Sequence, residues 1–174
     1  GPAIAACQLK LNAPSGSLIF CQQERKIAPM REFSVKTAIR ATPDRIWGLL
    51  TDASRYTDWN NTVEKVEGKI VPGETVKVHV KINPGRAFPV RVSEFAAPKR
   101  MVWTGGMPLG LFKGERTFEL KPQANGDIEF SMRESYSGLM APLIFRSIPN
   151  LQPAFEEFAS DLKRAAEAKA AVAR

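Results

Sequence analysis

The chain has 174 residues, 44% of them hydrophobic and 25% charged, which is enough for one domain with a sizeable core and too little for two ordinary ones. These proportions match ordinary globular usage and exclude a disordered or fibrous chain. The net charge of +7 comes from 25 Lys and Arg scattered singly among 18 Asp and Glu. Without a basic run to form a phosphate-binding arm, the surplus reads as solvation of the outer sheet face, and nucleic acid is not an expected partner.

Residues 1–29 have no sustained periodicity and read as an extension outside the domain, with Gly1-Pro2 as an expression scar and Met30 as the start of patterned sequence. Both cysteines, Cys7 and Cys21, fall there, so the domain, residues 30–174, needs no disulfide. Two cysteines and the single His79 supply no metal site, and no metal is expected. The default compartment for such a Cys-poor domain is the cytoplasm. The longest apolar stretch, Leu139 to Phe145, is broken by Pro142 and falls far short of the roughly 20 residues of a membrane span.

From Glu32 to Ala41 apolar and polar residues alternate, which predicts a half-buried strand with Phe33, Val35, Thr37, Ile39 and Ala41 on one face. Thr42-Pro43-Asp44 supplies an N-cap, a first-turn proline and an acid, so a short helix carries Ile46, Trp47, Leu49 and Leu50. Asp52 to Asn61 reads as a second helical turn, with Asp52 capping backbone groups. Six strands follow at 62–70, 74–82, 87–96, 100–106, 111–121 and 127–137, punctuated by Pro72-Gly73, Pro84-Gly85, Pro98 and Asn125-Gly126. Connections this short make an antiparallel meander and exclude parallel crossovers. Neither GxGxxG nor a Walker sequence is present, and no cofactor is implied. Leu151, Phe155, Phe158 and Leu162 recur at spacings of four, three and four, the stripe of one long helix. Its only large apolar partner is the concave face of the sheet, giving an α+β fold of about seven strands wrapped around a C-terminal helix.

The order strand, two short helices, six-strand meander and long helix is that of the helix-grip fold. Residues 34–168 resemble the START-like superfamily that groups polyketide cyclases, dehydrases and lipid-transport proteins. The motifs that carry this are Thr42-Pro43-Asp44-Arg45-Ile46-Trp47, Tyr56-Thr57-Asp58-Trp59-Asn60, Val102-Trp103-Thr104-Gly105-Gly106, Leu111-Phe112-Lys113-Gly114-Glu115 and Glu134-Ser135-Tyr136-Ser137-Gly138-Leu139. The resemblance implies a ligand cavity rather than a particular reaction.

Parity along the strands marks two inward charges. Arg116 shares a face with Phe112, Phe118 and Leu120, and Glu134 with Ile128, Phe130, Met132 and Tyr136. A turn at 122–126 sets Arg116 opposite Met132 and Phe118 opposite Phe130, with Glu134 diagonal to Arg116, and predicts an Arg116–Glu134 pair. Such a pair either closes a polar spot in an apolar interior or orients a bound molecule, with Tyr136 adding a hydroxyl. The remaining expected walls are Phe88, Val90, Met101, Trp103, Phe112, Met132, Leu151, Phe155 and Phe158. The segment 105–114, rich in glycine, is either a lid or a bent strand connection.

The leading expectation is binding or transport of a hydrophobic small molecule, such as a lipid, isoprenoid or polyketide-like aromatic. The first alternative is a cofactor-independent cyclase or dehydratase using Glu134 as acid or base and Arg116 to stabilise an enolate, with Tyr136 a third candidate. The second is a protein-interaction or chaperone-cofactor role. The oligomeric state is not legible.

Overall fold

Alternation in the first patterned segment produces β1 (Arg31–Ile39), in which Phe33 and Ile39 are buried while Glu32, Ser34, Lys36 and Ala38 are exposed. The computed structural model describes residues 31–168, so the reading of residues 1–29 as an extension lies outside the described residues, as do residues 169–174. Thr42 Oγ1 accepts the Arg45 N–H at 3.4 Å and caps α1 (Pro43–Thr51), with Pro43 in the first turn. The helix buries Ile46, Trp47 and Leu50, and Trp47 meets Phe95 edge-on at 5.2 Å. Asp52 accepts the Ser54 N–H at 3.1 Å and opens a short 3-10 turn, Ala53–Arg55, which leads into α2 (Tyr56–Trp59).

The meander comprises β2 (Val63–Glu67), β3 (Thr75–Val80), β4 (Ala87–Ala96), β5 (Arg100–Met107), β6 (Phe112–Pro122) and β7 (Ile128–Ser137). Every pairing is antiparallel, and β1 returns beside β7 to give the order β1-β7-β6-β5-β4-β3-β2. β2 ends earlier than its expected residue 70 because Gly68, at φ 104°, turns the chain away. Segment 105–114 is mostly strand: β5 and β6 run through it, and only a single 3-10 turn, Pro108–Gly110, connects them.

After β7 a four-residue helix, α3 (Ala141–Ile144), interrupts the approach to α4 (Gln152–Glu167). α4 lies along the edge of β1 that β7 leaves open. Gln152 Nε2 donates to the Ser34 carbonyl at 3.1 Å, the Lys163 ammonium donates to the Ala38 carbonyl, and Glu167 accepts the Arg40 N–H at 2.9 Å. These side chains occupy backbone groups that would otherwise be an open template for another strand.

Phe155, Phe158 and Leu162 turn inward from α4. Phe158 holds the centre, with the rings of Trp59, Phe118, Phe130 and Tyr56 at 5.3–6.3 Å. The same helix buries one acid, Asp161, 2% exposed. It accepts the Asn61 N–H at 2.8 Å and an Arg164 N–H at 2.7 Å, pinning α4 to the α2–β2 link. A buried carboxylate is tolerable there because its oxygens are hydrogen-bonded and its charge is matched.

Candidate functional site

Register across the sheet places Phe33, Glu134, Arg116, Trp103 and Val92 in one row, contributed by β1, β7, β6, β5 and β4. Arg116 therefore faces Glu134 directly, and Phe118 faces Met132. This corrects the expected diagonal geometry. The turn spans residues 123–127, closed by the Gln123 N–H on the Asp127 carbonyl at 2.9 Å, and so shifts the register by two. A shift of two preserves every face, and the paired charges still meet.

The Arg116 Nε–H reaches Glu134 Oε2 at 2.8 Å, and the Nη2–H donates to the same oxygen. Glu134 Oε1 accepts the Tyr136 hydroxyl at 2.8 Å. The next row toward the β5–β6 turn pairs Tyr136 with Gly114 and Gly114 with Gly105. A Cβ at Gly114 would lie 3.3 Å from the Tyr136 ring, so glycine is what lets that ring lie flat on β6 and present its hydroxyl to Glu134. Phe112 stacks on Tyr136 at 5.8 Å and Phe145 meets it edge-on at 5.7 Å. Beneath the pair the Arg116 guanidinium sits 5.1 Å from the centre of the Phe155 ring.

Burial works against the Arg116 charge, but the carboxylate of Glu134 and the hydrogen bonds between them outweigh it and hold the guanidinium above its ordinary range. Both side chains keep some contact with solvent, 25% for Arg116 and 14% for Glu134. Burial likewise pushes the Tyr56 hydroxyl up, opposed in part by the Arg116 charge. Near this row the Tyr56 hydroxyl and the Trp103 indole N–H are buried and make no hydrogen bond among the described residues. Their rings lie 6.4 Å apart.

Of the expected site residues, Trp103, Phe112, Arg116, Glu134, Tyr136 and Phe155 come together around the paired charges. Val90 and Leu151 pack on the core from its edge. Met101, Met132 and Phe158 belong to the solid centre around Phe118, at 0–3% exposure. Phe88 stands apart, half-buried with Arg86 5.0 Å over its ring. Phe33 is not an expected member of this wall, and Tyr56 and Phe145, expected only at the border of an opening and along the far rim, stand in the wall as well. The alternation in β1 already pointed Phe33 inward, whereas no local pattern places Tyr56 beside Trp103, 47 positions on, or turns Phe145 back onto Tyr136, nine positions before it.

The sequence pattern described as "Polyketide cyclase / dehydrase and lipid transport" matches residues 30–167. The chain belongs to this family. Membership agrees with the START-like, helix-grip architecture expected from the motifs. No curated protein sequence matches the chain. Solved structures share the fold. A hypothetical protein of Helicobacter pylori, jhp0584, superposes with a TM-score of 0.64 at 15% identity, over 92% of this chain and 99% of that one. A START superfamily protein of Mycobacterium smegmatis gives 0.55 at 16%, over 78% and 97%. A truncated norcoclaurine synthase of Thalictrum flavum gives 0.57 at 14%, over 77% and 91%. In this family member a cleft of about 450 Å³ opens against the first turn of α4, lined by Asn61, Thr62, Lys81, Ile82, Pro153, Ala154 and Glu157. A second, of about 500 Å³, lies between β1 and the β6–β7 turn, at the opposite end of the sheet. No helix among the described residues is long and apolar enough to cross a membrane.

Proposed function

We propose that the chain binds and carries a hydrophobic small molecule that bears a carbonyl or hydroxyl oxygen. The observation that supports this reading is that two of the six buried side-chain polar atoms without a hydrogen bond among the described residues, Tyr56 O–H and Trp103 N–H, lie beside an Arg116–Glu134 pair that still meets solvent. Buried polar groups are almost always satisfied, so two orphans in one apolar interior point to an absent acceptor. Guanidinium N–H groups beyond the two given to Glu134 add further donors. Phe112, Phe155 and Trp103 supply the apolar walls, and the expected contacts of Val90 and Leu151 lie at the rim.

Native mass spectrometry of gently purified protein tests the proposal by the retention of such a molecule. Replacing Arg116 with Met and Glu134 with Leu keeps an apolar interior and removes the polar anchor. The expected result is a folded variant that no longer prefers oxygenated ligands over hydrocarbons. A wild-type protein that remains empty and shows no thermal shift with a hydrophobic library overturns the reading.

One feature favours catalysis as a second reading: the Tyr136–Glu134–Arg116 chain of hydrogen bonds links a hydroxyl, a carboxylate and a fixed cation, the parts an acid–base cyclase or dehydratase uses. Loss of turnover in Glu134→Gln with ligand binding retained would support it, and unchanged turnover would remove Glu134 from that role.

A further inference from the structure

Among the described residues, large apolar side chains lie exposed at Val71, Ile82, Met107, Leu109, Leu139 and Leu143. Five of these six sit at one end of the sheet. The antiparallel order requires it: the β3–β4 connection at 81–86, the β5–β6 connection at 108–111 and the segment after β7 all leave by the same end. Leu109 is 97% exposed, Leu139 87% and Leu143 63%, so none is held there by the core.

The patch is built, not frayed. The Met140 N–H donates to the Leu111 carbonyl at 2.8 Å, locking the β5–β6 turn to the segment after β7. Gly138, at φ 115°, makes the contact possible, since a Cβ there would lie 2.5 Å from the same carbonyl oxygen. Leu109 is held at φ 59°, a left-handed backbone that leucine adopts only at a cost. The turn thus displays an apolar side chain where asparagine or glycine would sit without strain.

The three connections that leave by this end carry charge of one sign, although Glu32 at the start of β1 and Glu157 in the first turn of α4 lie at the same end. Residues 81–86, 107–113 and 138–151 contain Lys81, Arg86, Lys113 and Arg146 and not one Asp or Glu. Lys113 is matched by Glu115 at 2.7 Å, and Glu157 lies across the cleft from Lys81. Arg86 and Arg146 form no ion pair among the described residues. The loops at the opposite end mix signs, with Lys69 and Glu74 in one, Lys99 in the next and Asp127 in the third.

We propose that this end of the sheet is a docking surface for an anionic lipid bilayer, with Leu109, Leu139 and Leu143 entering the interface while Lys81, Arg86 and Arg146 meet lipid phosphates. Exposed apolar tips ringed by unpaired cations suit the boundary between headgroups and acyl chains, where both kinds of group gain. The cleft beside Lys81 and Ile82 opens at this same end, so a docked chain would present it to the bilayer. Docking rests on the surface residues alone and stands whether or not the interior carries a ligand.

Co-sedimentation of the full chain with vesicles tests this. Wild type is expected to pellet with phosphatidylcholine vesicles containing phosphatidylglycerol, to remain in solution with phosphatidylcholine alone, and to release as salt is raised. Leu109→Asn with Leu139→Ser should weaken partitioning roughly tenfold or more, since both side chains lose their insertion. Arg86→Gln with Arg146→Gln should weaken it about fivefold for each charge removed. Thermal unfolding at or above the wild-type temperature in both variants shows that lost folding is not the cause, and the two pairs are independent of each other. The proposal is overturned if wild type ignores anionic vesicles, if both variants bind as wild type does, or if sedimentation shows a dimer that Leu109→Asn with Leu139→Ser converts to monomer, which would make a second copy the occupant.

Discussion

Arg116 gives two N–H groups to one oxygen of Glu134, Oε2, and thereby leaves Oε1 to the hydroxyl of Tyr136. The carboxylate is thus shared between a cation and a neutral donor, and its removal affects both. Replacing Glu134 with Leu leaves a largely buried guanidinium without its counter-charge. The expected loss is about 1–3 kcal/mol, below the range for a fully buried pair because both side chains keep solvent contact. Adding Arg116→Met to Glu134→Leu should return part of that loss, so the double variant costs less than the sum of the singles by about 1–2 kcal/mol. Urea unfolding of the four proteins measures the coupling; strict additivity would mean that the pair contributes nothing as a pair.

α4 contributes one phenylalanine to the central ring cluster and one to the wall beside the paired charges. Phe158 is enclosed by four rings, whereas Phe155 touches Phe33 and lies under the solvent-reached guanidinium. Phe158→Ala is expected to cost about 3–5 kcal/mol, the full transfer and cavity penalty. Phe155→Ala should cost about 1–2 kcal/mol less, because the space it leaves adjoins groups that water already reaches. Equal losses in chemical unfolding would show that the site end is as tightly packed as the centre.

Acid should unfold the protein through carboxylates held away from the Arg116–Glu134 pair, on the outer sheet and on α4. Hydrogen bonds and charge from Lys121 and Arg100 hold Glu119 below its ordinary 4.5 against a smaller opposing effect of burial. At Glu167 the Arg40 N–H and then Lys163 do the same. A carboxylate with a lowered folded value binds fewer protons in the folded state, so its contribution is complete above about pH 4.5 and fades as pH falls through the folded value. The urea midpoint is therefore expected to fall below about pH 4.5, and to fall less steeply in a Glu119→Gln, Glu167→Gln double variant. A midpoint that holds steady into that range, or an equally steep decline in the variant, contradicts the assignment.

How much of this was readable depended on how far each feature reaches along the chain. Parity within β6 and β7 sufficed to turn Arg116 and Glu134 inward, because a strand's faces are fixed by a period of two. Register was not readable to the residue, since it depends on whether the turn closes at Gln123 or one residue earlier. Asp161 escaped notice because it interrupts an apolar stripe between Phe158 and Leu162, and its partner Asn61 is 100 residues away. The basic surplus looked evenly scattered for the same reason. Lys81 and Arg86 share one connection, but Lys113 and Arg146 lie far along the chain from them, and only the order of the strands gathers all four at one end.

Leu109 offers a separate test of whether that end is shaped by folding or by use. At φ 59° the residue sits where the Cβ of an L-amino acid crowds its own backbone, and at 97% exposure its side chain recovers almost nothing from packing. Asparagine tolerates this conformation and is indifferent to water, so Leu109→Asn should stabilise the protein by about 0.5–1 kcal/mol. Glycine is a poorer probe, because its freer unfolded chain offsets the relief of strain. A rise in the urea midpoint for Leu109→Asn would mean that the leucine is kept at the expense of stability, as expected of a residue retained for contact with something outside the chain. A fall would mean that it already packs within the fold, and its place on an exposed docking surface would be lost.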